Sequence, residues 1–214
     1  MIKALIFDMD GTMVDTEKMW GDINHRLAAH YGIIFDPKAR VQMMGKKDYD
    51  SLLVFKEYFH LDASVEDLVQ VRRKMALEDV SLVQVKEGLY ELLDLLDQLS
   101  IKKAIATSSF KEFAFKILSF FDLEKRFDTI VTGDDVMLSK PDPAIFLETA
   151  KRLSVNSAHC LVLEDAQNGV EAALRAGMLV FAIPHDASKH HDFSKATRVI
   201  SSMLEVNEAV LKSL

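Results

Sequence analysis

The sequence predicts a doubly wound α/β fold, a parallel sheet with helices on both faces, and a helical domain inserted after the first strand. Three observations predict it. Short apolar runs alternate with amphipathic stretches along most of the 214 residues. The runs are uninterrupted, which is typical of strands that are buried on both faces. One long interval after the first run has helical periodicity and no convincing strand, which indicates an insertion.

The predicted strands are the short apolar runs, and helical patterns separate them. The strands are placed at Lys3–Phe7, Lys103–Ala106, Thr129–Thr132, Cys160–Leu163, Leu179–Ile183 and Arg198–Ile200. The helices between them are placed at Gly88–Leu99, Phe110–Phe120, Pro143–Leu153 and Gly169–Ala176. In the first of these helices, the leucines from Leu89 to Leu96 have the spacing of a buried stripe. The alternation favours right-handed crossovers and a Rossmann-like sheet.

The long interval is predicted to be a helical cap domain. Its candidate helices are Thr16–Tyr31, Lys47–Phe59 and Ser64–Leu82. The last of them opens with Ser64 and an acidic first turn, a typical helix start. We therefore expect residues 15–84 to form the cap, and residues 1–14 and 85–214 to form the α/β core.

The composition is that of an ordinary globular protein. Hydrophobic residues make up 49% of the chain and charged residues 28%, and no apolar run approaches the length of a membrane span. The net charge of −7 argues against a nucleic-acid partner, which calls for a basic face. Cys160 has no disulfide partner, and Asp8 comes too early for a signal peptide. We expect a cytoplasmic monomer with no membrane partner.

The motif that gives the clearest indication of function is Asp8-Met9-Asp10-Gly11-Thr12, which directly follows the first predicted strand. Open α/β sheets bind ligands at the carboxyl ends of their strands, where this motif lies. On an extended backbone Asp8 and Asp10 project from the same face. Neighbouring carboxylates repel each other unless a cation joins them, and Mg²⁺ is the cation that such oxygen ligands favour.

Polar residues also follow the second and third strands. Thr107 and Ser108 place hydroxyl and amide groups before a helix, where they can bind a phosphoryl oxygen, although a plain helix cap is an equal alternative. Lys140 precedes Pro141, which favours an extended backbone at the lysine. Its ammonium group could neutralise a phosphate.

The fourth strand runs directly into Glu164 and Asp165. Two acids at the end of a buried strand are unfavourable unless they meet a metal ion or another partner. Four strand ends thus carry groups suited to phosphate or magnesium. Their joint interpretation is a site for phosphoryl transfer.

These motifs resemble those of the haloacid dehalogenase-like hydrolases, in the branch with a helical cap after the first strand. The resemblance covers nearly the whole chain, and its most specific part is the first motif followed by Val14-Asp15-Thr16-Glu17. It implies that Asp8 is a nucleophile that becomes an aspartyl phosphate. It also implies that Asp10 is the general acid toward the leaving oxygen, and then the base that activates water.

The resemblance implies binding roles for the other strand ends. Thr107 and the Ser108 amide would hold the phosphoryl group, and Lys140 would fix both that group and the nucleophile. Mg²⁺ would be bound by Asp8, the main-chain carbonyl of Asp10 and Asp165. Glu164 would lie among the metal ligands or next to them. The expected activity is that of a Mg²⁺-dependent phosphatase acting on a small phosphorylated metabolite.

Two alternatives stay open. A phosphosugar mutase resembling β-phosphoglucomutase shares the segments at Lys140-Pro141 and Leu163–Gly169. That enzyme carries a histidine twelve residues after its nucleophile, where this chain has Trp20, so the departure favours a phosphatase. A receiver-type phosphoacceptor module uses similar groups, but its acidic pair precedes the phosphorylated aspartate. Here Glu164-Asp165 comes late in the chain.

The remaining polar and aromatic candidates are expected to be structural. Trp20, Lys46 and Lys47 lie in the presumed cap, where they could touch substrate, but we expect Trp20 to be a packing residue and the two lysines to lie in a solvated loop. The histidines between His185 and His191 could suggest a metal site, but we expect a solvent-exposed loop there.

Overall fold

The structure is a computed structural model that describes residues 1–44 and 46–214. The strands are β1 (Ala4–Phe7), β2 (Val14–Asp15), β3 (Gln84–Val85), β4 (Lys102–Ala106), β5 (Thr129–Val131), β6 (Cys160–Glu164), β7 (Leu179–Ala182) and β8 (Arg198–Val199). The helices are α1 (Glu17–His30), α2 (Pro37–Met43), α3 (Asp48–Phe59), α4 (Val65–Glu78), α5 (Leu89–Gln98), α6 (Lys111–Phe120), α7 (Ala144–Leu153), α8 (Gln167–Arg175) and α9 (Glu208–Lys212). None of the helices in the described ranges has the length and apolarity needed to cross a membrane.

The predicted doubly wound sheet is confirmed. Six parallel strands lie in the order β5-β4-β1-β6-β7-β8, so β1 is central. Because side chains alternate along a strand, Leu5 and Phe7 join one apolar cluster with α5 and α6, and Ala4 and Ile6 join another with α7 and α8. The strand ends are thereby held rigidly between two packed layers.

The predicted elements agree with the observed ones within about two residues, apart from one helix end. Strand β6 extends one residue further than predicted and includes Glu164. The predicted start at Ser64 is confirmed, since its Oγ accepts a hydrogen bond from the amide of Asp67 at 3.0 Å. The helix predicted over Ser64–Leu82 is shorter, because α4 ends at Glu78 and a 3-10 turn follows over Val80–Leu82.

Helices α1 to α4 pack around an apolar cluster of their own, which includes Leu27, Phe35, Phe55 and Leu68. Helix α2 was not predicted, although Asp36 caps it and Pro37 occupies its first turn. The antiparallel pair of β2 and β3 was not predicted either, because two-residue strands show no periodicity. Strands β2 and β3 lie in the two chain segments that connect the cap to the core, and their pairing holds these segments side by side. The separate cluster supports the division at residues 15 and 84, which stays a prediction.

Candidate active site

A cleft lies between the carboxyl ends of the strands and the helices of the cap. It is lined by residues from both the strand ends and the cap helices. All the site residues predicted from the sequence line it. They are Asp8, Asp10, Thr107, Ser108, Lys140, Glu164 and Asp165. Residues up to 157 positions apart in the chain thus meet because parallel strands end at one edge of the sheet.

Lys140 connects two of the acidic residues. Its Nζ lies 2.6 Å from Oδ1 of Asp8 and 2.6 Å from Oε1 of Glu164, and the lysine is only 3% exposed. Burial alone would lower the pKa of Lys140, but attraction to Asp8 and Glu164 outweighs burial and raises it. The lysine is therefore held in its charged form beside the proposed nucleophile.

The site has more negative than positive charge. Burial raises the pKa of Asp8 well above its ordinary value; Lys140 opposes this shift, and the nearby Glu164 adds to it. Burial also raises the pKa of Asp165, and the charge of Glu164 again adds to the effect. One lysine therefore does not neutralise the buried carboxylates, which is the condition that a bound cation relieves.

Asp10 is held by four side chains. Its Oδ1 accepts hydrogen bonds from Thr16 Oγ1 at 2.8 Å and from Trp20 Nε1 at 3.0 Å. Its Oδ2 lies 2.7 Å from Ser109 Oγ and 3.3 Å from Thr107 Oγ1. The carboxyl group is thus turned toward hydroxyl groups and an indole, an arrangement that suits proton transfer better than metal binding.

Trp20 and Ser109 were not predicted as site residues. Trp20 packs against Phe113, with ring centroids 5.1 Å apart, so the expected packing is present. The expectation was nevertheless incomplete, because the indole also donates to Asp10. Ser109 extends the predicted Thr107-Ser108 pair by one residue, and its position in the same strand-end turn was the signal that could have identified it.

Gly11 and Gly169 each lie so close to an acidic side chain that no Cβ fits at either position without a shift of that side chain. Gly11 has φ +84°, and a Cβ there would lie 2.5 Å from Oδ2 of Asp165. A Cβ on Gly169 would overlap Oε1 of Glu164. Both contacts are far below van der Waals distance, so any side chain at either position would displace an acidic residue of the site.

Glu164 has both carboxylate oxygens engaged by the protein. Oε1 accepts from Lys140, and Oε2 accepts from the amides of Asp165 and Ala166, each at 2.9 Å. This arrangement fixes the lysine and the turn after β6. Glu164 therefore lies next to the other acidic residues as the partner of Lys140.

The donor groups fit a Mg²⁺ ion with few protein ligands. In residues 1–44 and 46–214, no three His, Cys, Asp or Glu side chains form a ready metal cluster. Asp8 and Asp165 supply two carboxylates, and the side chain of Asp10 points to other partners. Mg²⁺ usually keeps several waters and takes only one or two protein carboxylates, so this donor set suits it.

His185 contradicts the expectation of a solvent-exposed loop. Its side chain is 11% exposed, and Nε2 lies 2.7 Å from Oδ2 of Asp165. Nδ1 accepts from the amide of Ala187 at 3.3 Å, so the ring hydrogen lies on Nε2. Burial lowers the pKa of His185, which agrees with a neutral ring. The proximity could have been predicted, because His185 follows β7 and Asp165 follows β6, and these two strands are neighbours in the sheet.

The cap contributes charged residues that sequence reasoning did not identify. Arg72 stacks over Trp20, with Cζ 4.8 Å from the ring centroid. Burial lowers the pKa of Arg72, while the charge of Asp48 opposes the shift. Arg40 forms an ion pair with Glu17 at the side of the cleft. Helical periodicity marks the apolar face of a helix but does not show which polar face meets the core.

Direct contacts hold the cap over the core. Lys47 Nζ donates to the carbonyl of Val136 at 2.6 Å, so this lysine is not merely solvated as expected. Arg73 pairs with Asp134 at 3.3 Å across the same junction. The described cap thus lies over the cleft, and Lys46 is among the residues that line it.

The chain is similar to known proteins both in sequence and in fold. Residues 5–183 match the family model described as haloacid dehalogenase-like hydrolase. The chain is 34% identical over 188 residues to a phosphorylated carbohydrates phosphatase from Thermotoga maritima, a match covering 86% of each chain. Its fold is similar to CbbY from Rhodobacter sphaeroides in complex with phosphate, with TM-score 0.90, 23% identity and coverage of 99% and 100%. It is also similar to β-phosphoglucomutase from Clostridium difficile, with TM-score 0.88, 24% identity and coverage of 100% and 96%.

Proposed function

The chain belongs to the haloacid dehalogenase-like hydrolases, and we propose that it is a Mg²⁺-dependent phosphatase that forms an aspartyl phosphate on Asp8. Its substrate is the phosphate monoester of a small metabolite, and the phosphorylated carbohydrates phosphatase from Thermotoga maritima supports this class. We further propose that the enzyme acts as a monomer, which size-exclusion chromatography with light scattering tests directly.

The observation that carries the proposal is the grouping of Asp8, Lys140 and Asp10 in one covered cleft. Lys140 lies 2.6 Å from Asp8, and Asp10 is held separately by hydroxyl groups and an indole. A nucleophile beside a fixed cation, with a separately positioned acid, is what displacement at phosphorus requires.

In the first step, a carboxylate oxygen of Asp8 attacks phosphorus. The bond between Asp8 oxygen and phosphorus forms as the ester P–O bond breaks. Asp10 gives its proton to the leaving alcohol oxygen, and its hydroxyl neighbours Thr16 and Ser109 can rotate to donate to or accept from the carboxyl group. The product alcohol leaves, and the phosphoryl group stays on Asp8.

In the second step, water replaces Asp8 on phosphorus. Asp10, now ionised, takes a proton from the water as its oxygen attacks, and the acyl phosphate P–O bond breaks. Inorganic phosphate is released, and Asp8 returns to its carboxylate form. Because Asp10 regains its proton, the enzyme is ready for another cycle.

The other strand-end residues offset the negative charge of the phosphoryl group. Lys140 is held charged by its two acidic partners, and Thr107 and Ser108 line the cleft beside it. We propose that Thr107 and the Ser108 amide bind phosphoryl oxygens. Such fixed donors are usually the largest part of catalysis at a charged centre.

The proposed metal ligands are Asp8, the main-chain carbonyl of Asp10 and Asp165, with Glu164 next to them. When bound, Mg²⁺ supplies positive charge that draws the phosphoryl oxygens toward the nucleophile. The two acidic residues at the end of β6 have different proposed roles. Asp165, which His185 orients, binds the metal ion, and Glu164 positions Lys140.

Release of inorganic phosphate from a panel of small phosphate esters tests the proposal. We expect many turnovers per enzyme with Mg²⁺ and none after chelation by EDTA, with recovery when Mg²⁺ is restored. Prolonged incubation of Asp10→Asn with substrate, followed by acid quench and peptide mass spectrometry, should locate the phosphoryl group on Asp8. Phosphate release that persists in EDTA would contradict the metal requirement. A phosphoryl group on a residue other than Asp8 would contradict the assignment of Asp8 as the nucleophile.

The same panel separates the two alternatives. A mutase would convert β-glucose 1-phosphate to glucose 6-phosphate faster than it releases phosphate. A receiver-type module would take up one phosphoryl group per chain and stop. We expect neither result, since Trp20 occupies the position of the mutase histidine and Glu164-Asp165 follows the proposed nucleophile in the chain rather than preceding it.

A further inference from the structure

Helix α3 of the cap begins against the core loop that leads into Lys140. The N-cap residue of α3 is Lys47. A lysine side chain has no acceptor, so Lys47 cannot cap the helix as a serine or an aspartate does. This helix end instead makes two hydrogen bonds to the core segment 136–139, which directly precedes Lys140.

Ser139 of the core connects two groups at the start of α3. Its Oγ accepts a hydrogen bond from the main-chain amide of Lys47 at 3.3 Å. The same hydroxyl donates to Oδ2 of Asp50, the third residue of α3. In an ordinary capping box, the side chain of the third helical residue accepts directly from the N-cap amide. Here a hydroxyl from the other domain lies between these two groups, an arrangement that we call the Ser139 bridge.

The two groups that the Ser139 bridge joins can also pair with each other. Without Ser139, Asp50 can accept directly from the Lys47 amide, as Asp135 accepts from the amide of Thr132 at 2.8 Å in this chain. Separation of the cap from the core therefore leaves neither group at the start of α3 unpaired. Because unpaired polar groups are the main cost of breaking a hydrogen bond, the bridge can break and re-form readily.

On the core side, the bridge is attached to a segment whose position is fixed. The carbonyl of Ser139 accepts from the amide of Asp142 at 2.9 Å, so a turn holds the main chain on both sides of Lys140. The side chain of Lys140 is held by Asp8 and Glu164. The cap therefore docks on a loop that is fixed relative to the proposed nucleophile.

Two further features strengthen the contact at this helix end. Lys47 Nζ donates to the carbonyl of Val136 at 2.6 Å, three residues before Ser139. The bond from Ser139 to Asp50 is made to a carboxylate, and such bonds are stronger than those between neutral groups. Asp50 also lies in the first turn of α3, where the helix dipole favours negative charge.

On these grounds, and resting on the proposed phosphatase function, we propose that Ser139 is a positioning residue that docks the cap in register with Lys140. While the Ser139 bridge is formed, α3 is seated on the loop before Lys140, and the cap lies over Asp8 and Asp10. When the bridge breaks, Asp50 pairs within the cap, and the cap is free to move so that substrate enters or product leaves.

Trp20 is a natural probe of this docking. It is the single tryptophan of the chain, and its indole in the cap donates to Asp10 in the core. In Ser139→Ala, acrylamide should quench Trp20 more strongly than in the wild type, without substrate or turnover. The physical reason is that loss of a hydrogen bond to a carboxylate raises the ratio of undocked to docked molecules by about tenfold.

Activity provides the second measurement. In Ser139→Ala, kcat/KM for the phosphate esters should fall, by up to about tenfold, because fewer molecules have the cap docked. Ser139→Thr keeps the hydroxyl and should restore both kcat/KM and the quenching of Trp20. A folded Ser139→Ala variant with wild-type quenching, or with wild-type kcat/KM, would overturn the proposal.

The matched control is Ser64→Ala. Ser64 and Asp67 form a serine-aspartate pair at the start of α4, but both residues belong to the cap. Loss of this helix cap should lower the Tm and leave the quenching of Trp20 and kcat/KM as in the wild type. If Ser139→Ala gives this same pattern, its role is structural and the docking role is wrong.

Asp50→Ala tests the cap side of the bridge. It should increase the quenching of Trp20, and its effect should not add to that of Ser139→Ala in the double variant, because both substitutions remove one bridge. Additive effects would show that the two residues act separately, which overturns the bridge. If no ester is hydrolysed but the quenching responds as expected, the proposed function is wrong and the docking role stands. If esters are hydrolysed and the quenching does not respond, the docking role is wrong and the phosphatase stands.

Discussion

The indole Nε1 of Trp20 donates a hydrogen bond to Oδ1 of Asp10 at 3.0 Å. Trp20 belongs to the cap and Asp10 to the core, so this bond joins the covering domain to the proposed acid-base group. The same indole is stacked under Arg72 of α4. The position of the cap and the orientation of Asp10 are therefore linked through one side chain.

We expect Trp20→Phe to lower kcat by about tenfold, because the donor is lost while the ring packing against Phe113 is largely kept. Steady-state phosphate release measures the effect, and a thermal melt verifies that the variant is folded. Wild-type kcat in the folded variant would show that the indole bond does not orient Asp10.

Asp8→Asn should lower turnover by at least about 1,000-fold, since the amide is a poor nucleophile. The fold should persist, because the substitution removes one charge from a buried group whose pKa is already raised by burial. Circular dichroism and a thermal melt check the fold. Near wild-type turnover would overturn the assignment of the nucleophile.

Asp10→Asn should slow both half-reactions, by about 100-fold or more for each proton transfer. Rapid-quench measurements follow formation and decay of the phosphorylated enzyme separately, and the pH dependence of each step should be lost. A variant with the wild-type pH profile would argue against the acid-base role.

Lys140→Met should destabilise the protein by about 3–5 kcal/mol, because it leaves Asp8 and Glu164 buried without their cation. Urea unfolding measures the change. The control is Lys151→Met on α7, whose side chain is 80% exposed and whose loss should change the free energy of unfolding by less than about 0.5 kcal/mol. Equal effects of the two substitutions would contradict the buried ion pairs.

In the metal-free protein, Asp8 and Asp165 should contribute a loss of stability as pH rises from about 4 toward neutrality. The pKa values of Asp8 and Asp165 are raised in the folded state, so the folded protein binds more protons than the unfolded chain in this range. Their contribution to the free energy of unfolding therefore falls with increasing pH until both groups have ionised, whereas His185, whose pKa is lowered by burial, contributes in the opposite direction.

Added Mg²⁺ should offset this loss, by about 2.7 kcal/mol at 100 times its Kd. Thermal melts from pH 4.5 to 8, with and without the metal, measure both effects. Asp165→Asn should reduce the pH slope and the response to Mg²⁺ together. A variant that retains the full Mg²⁺ response would show that the ion binds elsewhere.

Local sequence patterns were enough to predict the sheet and the strand-end residues of the site. Apolar runs identify buried strands, and a parallel sheet brings the ends of those strands together, so Asp8, Lys140 and Asp165 could be grouped without coordinates. The structure places these residues around one cleft, and their roles stay proposals.

The partners of those residues were decided only by tertiary structure. Trp20, His185 and Arg72 have ordinary local surroundings in the sequence, and each reaches the cleft from a different element. Hydrophobic periodicity shows which face of a helix is apolar and which is polar. The residues that contact the polar face depend on packing between segments that are distant in the chain. The strand ends could thus be predicted from local pattern, whereas the cap surface above them depends on how one domain closes over the other.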